Sequence, residues 1–338
     1  MNRRYFRPLT AVGPTRSLDA LPLAGGWAWF RDVEEIGRDG TSAVIPAHGL
    51  PEAAREALVS ARSGVAAGAR PRIMGIVNCT PDSFSDGGQH AVAADAIAGG
   101  LAMAAAGADI LDIGGESTRP GAVTVPVADE IARTAPVIEG LRAAGFGGTI
   151  SVDTRKAAVA RAALAAGADM INDVSGFTYD PDLAAVAQAA QVPVCVMHAQ
   201  GDPATMQNDP HYDNVLLDVY DYLADRIAAL EAAGIARAQI IADPGIGFGK
   251  TQAHNLALLG RIGLFHGLGV PVLLGASRKR FIGTIGGAAD PPARAPGSIA
   301  VALAAVAQGV QIVRVHDVAE TAQAIALWRA SVAGYTDD

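Results

Sequence analysis

From Arg72 onward, short apolar runs stop abruptly at polar residues and alternate with Ala-rich stretches of helical length. The runs Ile73–Val77, Ile110–Ile113, Thr149–Val152, Met170–Asn172, Val194–Met197, Ile240–Ala242, Val272–Leu274 and Ile312–Val315 read as strands buried on both faces. Ala93–Ala106, Lys156–Ala166, Val215–Ala233 and Ser298–Gln308 read as helices, and Gly107, Gly145, Gly167 and Gly234 stand where helix C-termini are expected. About eight strand–helix units predict a parallel α/β fold. Polar groups after nearly every strand favour a closed (β/α)8 TIM barrel over a doubly wound open sheet. The barrel is assigned to residues 71–338.

Residues 1–70 break this rhythm and read as a small N-terminal β-containing extension. Leu21–Phe30 is expected to pair with Thr41–Ala47 across Arg38-Asp39-Gly40, followed by a helix from Pro51 to about Ser63. Trp27 and Trp29 read as packing groups. Nothing in the extension resembles a site, so deleting residues 1–65 is expected to leave the barrel's chemistry intact.

Composition narrows the function. A chain of 338 residues that is 50% hydrophobic but only 5% aromatic suits helices packed on a parallel sheet. A net charge of −8 argues against nucleic-acid binding while leaving room for a local basic pocket. Cys79 and Cys195 fall in or beside core strands and read as small apolar residues, not as a disulfide or a nucleophile. The N-terminal segment carries charge without the apolar stretch of a leader, and no run is long enough to span a membrane. A cytoplasmic protein is the expectation.

The chemistry lies at the strand ends, which converge on one mouth in a barrel. The first ends in Asn78 and runs into Thr80-Pro81-Asp82-Ser83-Phe84, a turn-rich loop whose aromatic suits a cover over a ligand. The second ends in Gly114-Gly115-Glu116-Ser117-Thr118-Arg119-Pro120-Gly121, the third in Asp153-Thr154-Arg155 and the fourth in Asn172-Asp173. His198 follows the fifth, Asp243 the sixth and Ser277-Arg278-Lys279 the seventh, while Arg314 and His316 flank the end of the eighth. Asp153, Asn172 and Asp243 suit a flat heterocycle that offers several N–H donors. Asn78, Arg119, Arg314, His316 and Lys279 suit a phosphate or diphosphate, which commonly arrives with Mg2+. Asp173 and Asp317 read as capping or scaffold residues.

Gly245-Ile246-Gly247-Phe248-Gly249-Lys250-Thr251 ends like a phosphate-binding P-loop, but Pro244 occupies the place of its first glycine and the spacing is one residue short. Its glycines fit close passage of backbone beneath a ligand, with Phe248 above. No histidine spacing indicates a catalytic zinc.

Taken together, the segments Asn78–Gly88, Gly114–Ala122, Ser151–Thr154, Ile171–Val174, Met197–Gly201, Asp243–Lys250, Ser277–Gly283 and Arg314–Val318 closely resemble the dihydropteroate synthase family. These enzymes join a dihydropterin diphosphate to 4-aminobenzoate, and the resemblance runs in order from about Arg72 to the end. It implies a pterin held by Asp153, Asn172, Asp243 and Lys279, with Met197 and Phe248 lining the ring pocket. Asn78, Arg314 and His316 would hold the diphosphate, and Asn78 would also touch Mg2+. Thr118, Arg119, Pro120, Ser277 and Lys279 would meet the aminobenzoate, where sulfonamides compete in this family. The catalytic set is then Asn78, Asp153, Asp243, Lys279, Arg314 and His316, under a mobile loop containing Thr80, Asp82, Ser83 and Phe84. A homodimer is implied.

The chain departs from the family pattern in residues 1–70 and in Ala199, which is smaller than the residue often found there. No insertion interrupts Thr80–Gly88, so sulfonamide sensitivity is expected. The pterin-binding barrel of corrinoid-dependent methyltransferases would not need Ser277-Arg278-Lys279 or the 80–88 loop. A non-catalytic pterin-binding paralogue would have lost some of Asn78, Arg119, Lys279, Arg314 or His316, and all are present.

Overall fold

The computed structural model describes residues 3–80, 89–118, 121–201 and 205–334. The N-terminal segment forms strands β1 (Arg4–Ala11), β2 (Leu21–Pro22), β3 (Trp29–Gly37) and β4 (Ser42–Pro46), then helix α1 (Glu52–Val59). β3 is the hub of an antiparallel sheet, pairing with β1, β2 and β4. The expected turn at Arg38–Gly40 is there, but the strand entering it is Trp29–Gly37, not Leu21–Phe30. Charges at Arg31, Asp32, Glu34 and Glu35 disguise it in the sequence. Two of them are matched across the sheet, Glu34 by Arg7 and Glu35 by Arg4. β1 itself went unpredicted, since Arg4, Arg7 and Pro8 interrupt its apolar character. Pro8 sits where the β1–β3 register shifts, a place where a missing N–H is tolerated.

The barrel follows as β5 (Arg72–Asn78), α2 (Gln89–Ala105), β6 (Ile110–Gly114), α3 (Val127–Ala143), β7 (Thr149–Asp153), α4 (Ala157–Ala165), β8 (Met170–Asp173), α5 (Leu183–Ala190) and β9 (Val194–Met197). It continues with α6 (Val215–Ala232), β10 (Ile240–Asp243), α7 (Gln252–Gly260), β11 (Leu273–Leu274), α8 (Arg280–Gly286), α9 (Ala295–Ala307), β12 (Ile312–Val315) and α10 (Val318–Ala333). Eight parallel strands run in the order β10-β9-β8-β7-β6-β5-β12-β11, and a parallel bridge between Ala242 and Val272 joins the two ends. The expected eight-stranded barrel is therefore the fold. Gly107 closes α2 at φ +106°, a left-handed position that a side chain would strain.

Outward side chains such as Leu111, Ile113, Ile150, Val152, Val194 and Val313 are buried beneath the helices. Inside, Met74, Ile110, Met170, Cys195, Ile241, Leu273 and Ile312 form an apolar floor layer. Ala66, from a 3-10 turn at Gly64–Ala66, packs into that layer with only 3% of its surface exposed. Other anchors tie the extension to the barrel. Trp27 donates from Nε1 to Val306 O at 2.9 Å, Arg62 to His266 O at 3.1 Å, and Tyr5 Oη to Asp221 at 2.7 Å. Tyr5 and Ile36 are part of the main hydrophobic core. Among the described residues, no helix is long and apolar enough to cross a membrane.

Candidate active site

Strand geometry collects the polar residues. Side chains alternate faces along a strand, so the residue two beyond each floor residue also points inward, one layer higher. That rule lifts Asp112 above Ile110, Asn172 above Met170, Met197 above Cys195, Asp243 above Ile241 and Arg314 above Ile312. Asp153 stands two beyond Ser151, which is in register with Met170. An apolar floor thus carries a polar second layer. Across the sheet, Asn78 pairs in register with Gly114, Gly114 with Asp153, and Asp153 with Asn172. Asn78 and Asp153 lie two strands apart, roughly 10 Å at normal strand spacing.

Arg314 is the centre of this layer. Its Nε donates to Asp112 Oδ2 at 2.6 Å and its second terminal nitrogen to Asp153 Oδ2 at 2.7 Å. Asn172 Nδ2 donates to the same Asp112 oxygen at 3.1 Å. Asp112 is fully buried, and its Oδ1 has no hydrogen-bond partner among the described residues. Burial works against the charge on Arg314, but Asp112 and Asp153 hold the guanidinium protonated, above its ordinary pKa. Burial also pushes Asp153 up to about 7, with Arg314 opposing and the charges of Asp112, Asp173 and Glu130 adding. Asp243 rises to about 6, again by burial, opposed by a 2.7 Å hydrogen bond from Gly245 N–H and by Lys279, Arg314 and Lys250. Two acids raised toward neutrality therefore lie one layer above the apolar floor, where the N–H donors of a flat ring would favour their ionised forms.

The loop after β10 passes under the mouth. A Cβ on Gly245 would lie 1.8 Å from His198 O, so this close crossing admits only glycine. Lys250 holds the loop from within, its Nζ bonding Gly245 O at 2.9 Å, Phe248 O at 3.0 Å and His198 Nδ1 at 2.8 Å. Burial draws this lysine down to about 7, and burial with Lys250 takes His198 to about 2, so His198 is neutral and structural. The P-loop-like stretch thus uses its lysine to tie carbonyls, as a scaffold. Phe248 is buried against Val174, Met197 and Met206, and Lys279 Nζ lies 4.0 Å from its ring centroid. That contact joins Lys279 to the apolar cluster around Met197 and Phe248.

Ser277 and His316 are a pair. Ser277 Oγ accepts the backbone N–H of His316 at 3.2 Å and stands 3.0 Å from its Nδ1. With the hydroxyl as donor to Nδ1, the imidazole would present an Nε2–H, a donor suited to a phosphate oxygen. Asp173 accepts three hydrogen bonds from Ser175 and Phe177. Asp317 pairs with Arg278 and accepts from Thr321 through its carbonyl. Both are scaffold residues, as expected. Cys79 is buried with its thiol pushed by burial up to about 12, which suits packing and not nucleophilic attack. Thr80 and Thr118 are half-buried beside the mouth. Asp82, Ser83, Phe84, Arg119 and Pro120 lie outside the described residues.

The model of the pterin-binding enzyme family matches residues 74–316, which span the strand-end residues from Asn78 to His316. The dihydropteroate synthase of Escherichia coli is 47% identical over 262 residues, covering 78% of this chain and 92% of the relative. The chain belongs to the dihydropteroate synthase family. Among solved structures, the Xanthomonas albilineans dihydropteroate synthase with 4-aminobenzoic acid superimposes with a TM-score of 0.73 at 50% identity, covering 78% of this chain and 93% of that one. The Yersinia pestis dihydropteroate synthase in a sulfonamide drug complex gives 0.73 at 45% identity, covering 78% and 94%. Family, barrel fold and transferase class thus agree with the expectations drawn from the strand-end motifs. Residues 1–73 fall outside the family match.

Sequence reasoning passed over Asp112 and Lys250. A lone acid in the apolar strand Ile110–Gly114, two residues from an inward Ile, was the available signal for Asp112. Lys250 was weighed only as part of a nucleotide motif. Among the described residues, no group of three or more His, Cys, Asp or Glu could hold a metal ion by itself. The Asn78 amide, the metal contact expected from the sequence, stands at the end of β5.

Proposed function

We propose that this chain condenses 6-hydroxymethyl-7,8-dihydropterin diphosphate with 4-aminobenzoate, giving 7,8-dihydropteroate and diphosphate. The observation that carries this reading is the Asp112–Arg314–Asp153 cluster beside Asp243, one layer above an apolar floor. It offers carboxylates to a guanidine-like ring edge and a guanidinium to an anionic arm within one pocket.

The pterin edge is assigned to Asp153, Asn172 and Asp243, with Lys279 above and Met197 and Phe248 along the ring. Arg314, His316 and Asn78 receive the diphosphate, and Asn78 is the residue that would hold Mg2+. When bound, that ion would help neutralise the leaving diphosphate. Arg314 and His316 meet the charge that grows on the departing oxygen. Asp243 and Asp153, once ionised, stabilise through the ring the positive charge left on the pterin methylene. 4-Aminobenzoate, placed by Ser277, Lys279 and the Thr118–Pro120 segment, forms the new C–N bond with its nitrogen lone pair and then releases a proton. An arylamine is largely neutral at pH 7, which fits a site without a strong general base.

The residue roles, a cytoplasmic location and a homodimeric state belong to the same proposal. The two-domain division also belongs here, with the barrel of residues 71–338 catalytic and residues 1–70 an appended unit. Incubation with both substrates and Mg2+ should yield dihydropteroate by chromatography, and none when either substrate is omitted. A complete mixture giving no more product than a protein-free control would overturn the reading.

A further inference from the structure

Behind the mouth, between β6, α3 and the start of α4, lies a set of buried charges that the reaction does not use. Glu116 Oε1 accepts from Arg155 Nε at 2.9 Å, and its Oε2 from Lys156 Nζ at 2.7 Å and Val125 N–H at 2.7 Å. Lys156 Nζ also donates to Val125 O at 2.6 Å and to Glu130 Oε2 at 2.5 Å, which uses all three of its hydrogens. Glu130 Oε1 accepts from Thr154 Oγ1 at 2.6 Å, next to Asp153. Arg155 reaches Thr124 Oγ1 at 3.1 Å and lies over the Tyr179 ring at 4.0 Å, and Arg133 donates to Gly115 O at 3.0 Å. The side chains of Glu116, Glu130, Arg155 and Lys156 are each no more than 7% exposed. Burial opposes ionisation of Glu116, yet the Lys156 and Val125 bonds hold its carboxyl below the ordinary value.

These contacts grip both ends of one loop. Gly115 and Glu116 leave β6, Thr124 and Val125 enter α3, and a single ammonium bridges the two sides. The described residues between Glu116 and Val125 offer no large buried apolar anchor, since Val123 is 84% exposed and the others are small or polar. Buried ion pairs seldom raise stability over apolar replacements, so three pairs kept at a loop's base point to a demand for geometry.

We propose that Glu116, Glu130, Arg155 and Lys156 are positioning residues that hold Glu116–Thr118, leaving β6, against Thr124 and Val125, entering α3, beside the pterin seat and so set affinity for the arylamine. The proposal deepens the synthase reading and rests on it, through Thr118 on this loop. Lys156→Met severs three of the contacts. Thr124→Val removes only the exposed end of the Arg155 link and leaves the fold intact. KM for 4-aminobenzoate should rise about tenfold in Lys156→Met and a few-fold in Thr124→Val, with KM for the pterin diphosphate within about twofold of wild type. Lys156→Arg should recover part of the loss. A merely structural network would instead lower kcat with the active fraction and leave both KM values alone. That result, or equal rises in both KM values, overturns the proposal. Calorimetric binding of a sulfonamide in the presence of pterin and diphosphate reads the same loop without turnover. A wild-type chain that binds it but makes no product overturns the synthase reading alone, and the loss of binding in the variants still decides the network.

Discussion

Asp153→Asn should move stability and ligand affinity in ways that depend on pH and can be worked out in advance. The carboxyl is 7% exposed and its pKa is lifted from 3.8 to about 7. Well below pH 4, the folded and unfolded chains both hold the proton. Between there and pH 7 the unfolded chain ionises while the folded chain resists, so the folded state loses stability as pH rises. Beyond about 7 the loss is complete. About three pKa units at about 1.4 kcal/mol each amount to roughly 4 kcal/mol. An asparagine does not titrate and escapes this loss, but it gives up the charge-assisted bond from Arg314, about 1.5–3 kcal/mol. The lost bond sets an offset and the linkage sets a slope. Urea unfolding from pH 4 to 7.5 should therefore show the variant gaining on wild type by roughly 4 kcal/mol. Pterin binding moves the other way, weakening by about ten- to a hundredfold as a carboxylate facing ring N–H groups becomes an amide. Wild-type affinity for a pterin should strengthen as pH rises through 6 to 7, as Asp243 and Asp153 lose their protons. A stability difference that stays flat across this range, or pterin affinity unchanged by the substitution, would refute the reasoning.

Other expectations follow from single contacts. If one ammonium serves both substrates as proposed, Lys279→Ala should cut turnover by at least about a hundredfold, and near-normal kcat/KM would remove it from the catalytic set. Lys250→Met strips the buried Phe248 carbonyl of the lysine and leaves Gly245 O with only the Phe248 N–H, so it should cost about 1–3 kcal/mol in urea unfolding, with weaker pterin binding because Phe248 shifts. Deleting residues 1–65 removes the Trp27, Arg62 and Tyr5 anchors and uncovers the floor beside Ala66, so thermal unfolding should begin at lower temperature. Where the truncated barrel stays folded, its kcat/KM should match the full chain. Sulfonamides should inhibit competitively against 4-aminobenzoate, and full activity at a large excess of drug would contradict the placement of the arylamine.

The barrel was legible because strands buried on both faces must be apolar throughout, and each predicted run lies within a residue or two of an observed strand. Site residues at strand ends, such as Asp153, Asn172 and Asp243, stood out because a polar group closing an apolar run has few structural uses. Asp112 was hidden by sitting inside its strand, where only the inward layer pattern distinguishes it. The Glu116–Lys156–Glu130 network was hidden for a different reason, because its members are far apart in sequence and meet only across two loops and a helix. β1 and most of β3 were missed where cross-strand charge pairs replaced the apolar alternation that marks a strand.

The most direct test of the account is rapid-quench measurement of diphosphate release from the dihydropterin diphosphate in the presence of Mg2+, with and without 4-aminobenzoate. The account predicts release in step with dihydropteroate when the arylamine is present, and Arg314→Leu should abolish both. Tight pterin binding with no release under either condition would contradict catalysis. No pterin binding at all would contradict the assignment of Asp153, Asn172 and Asp243 to the ring.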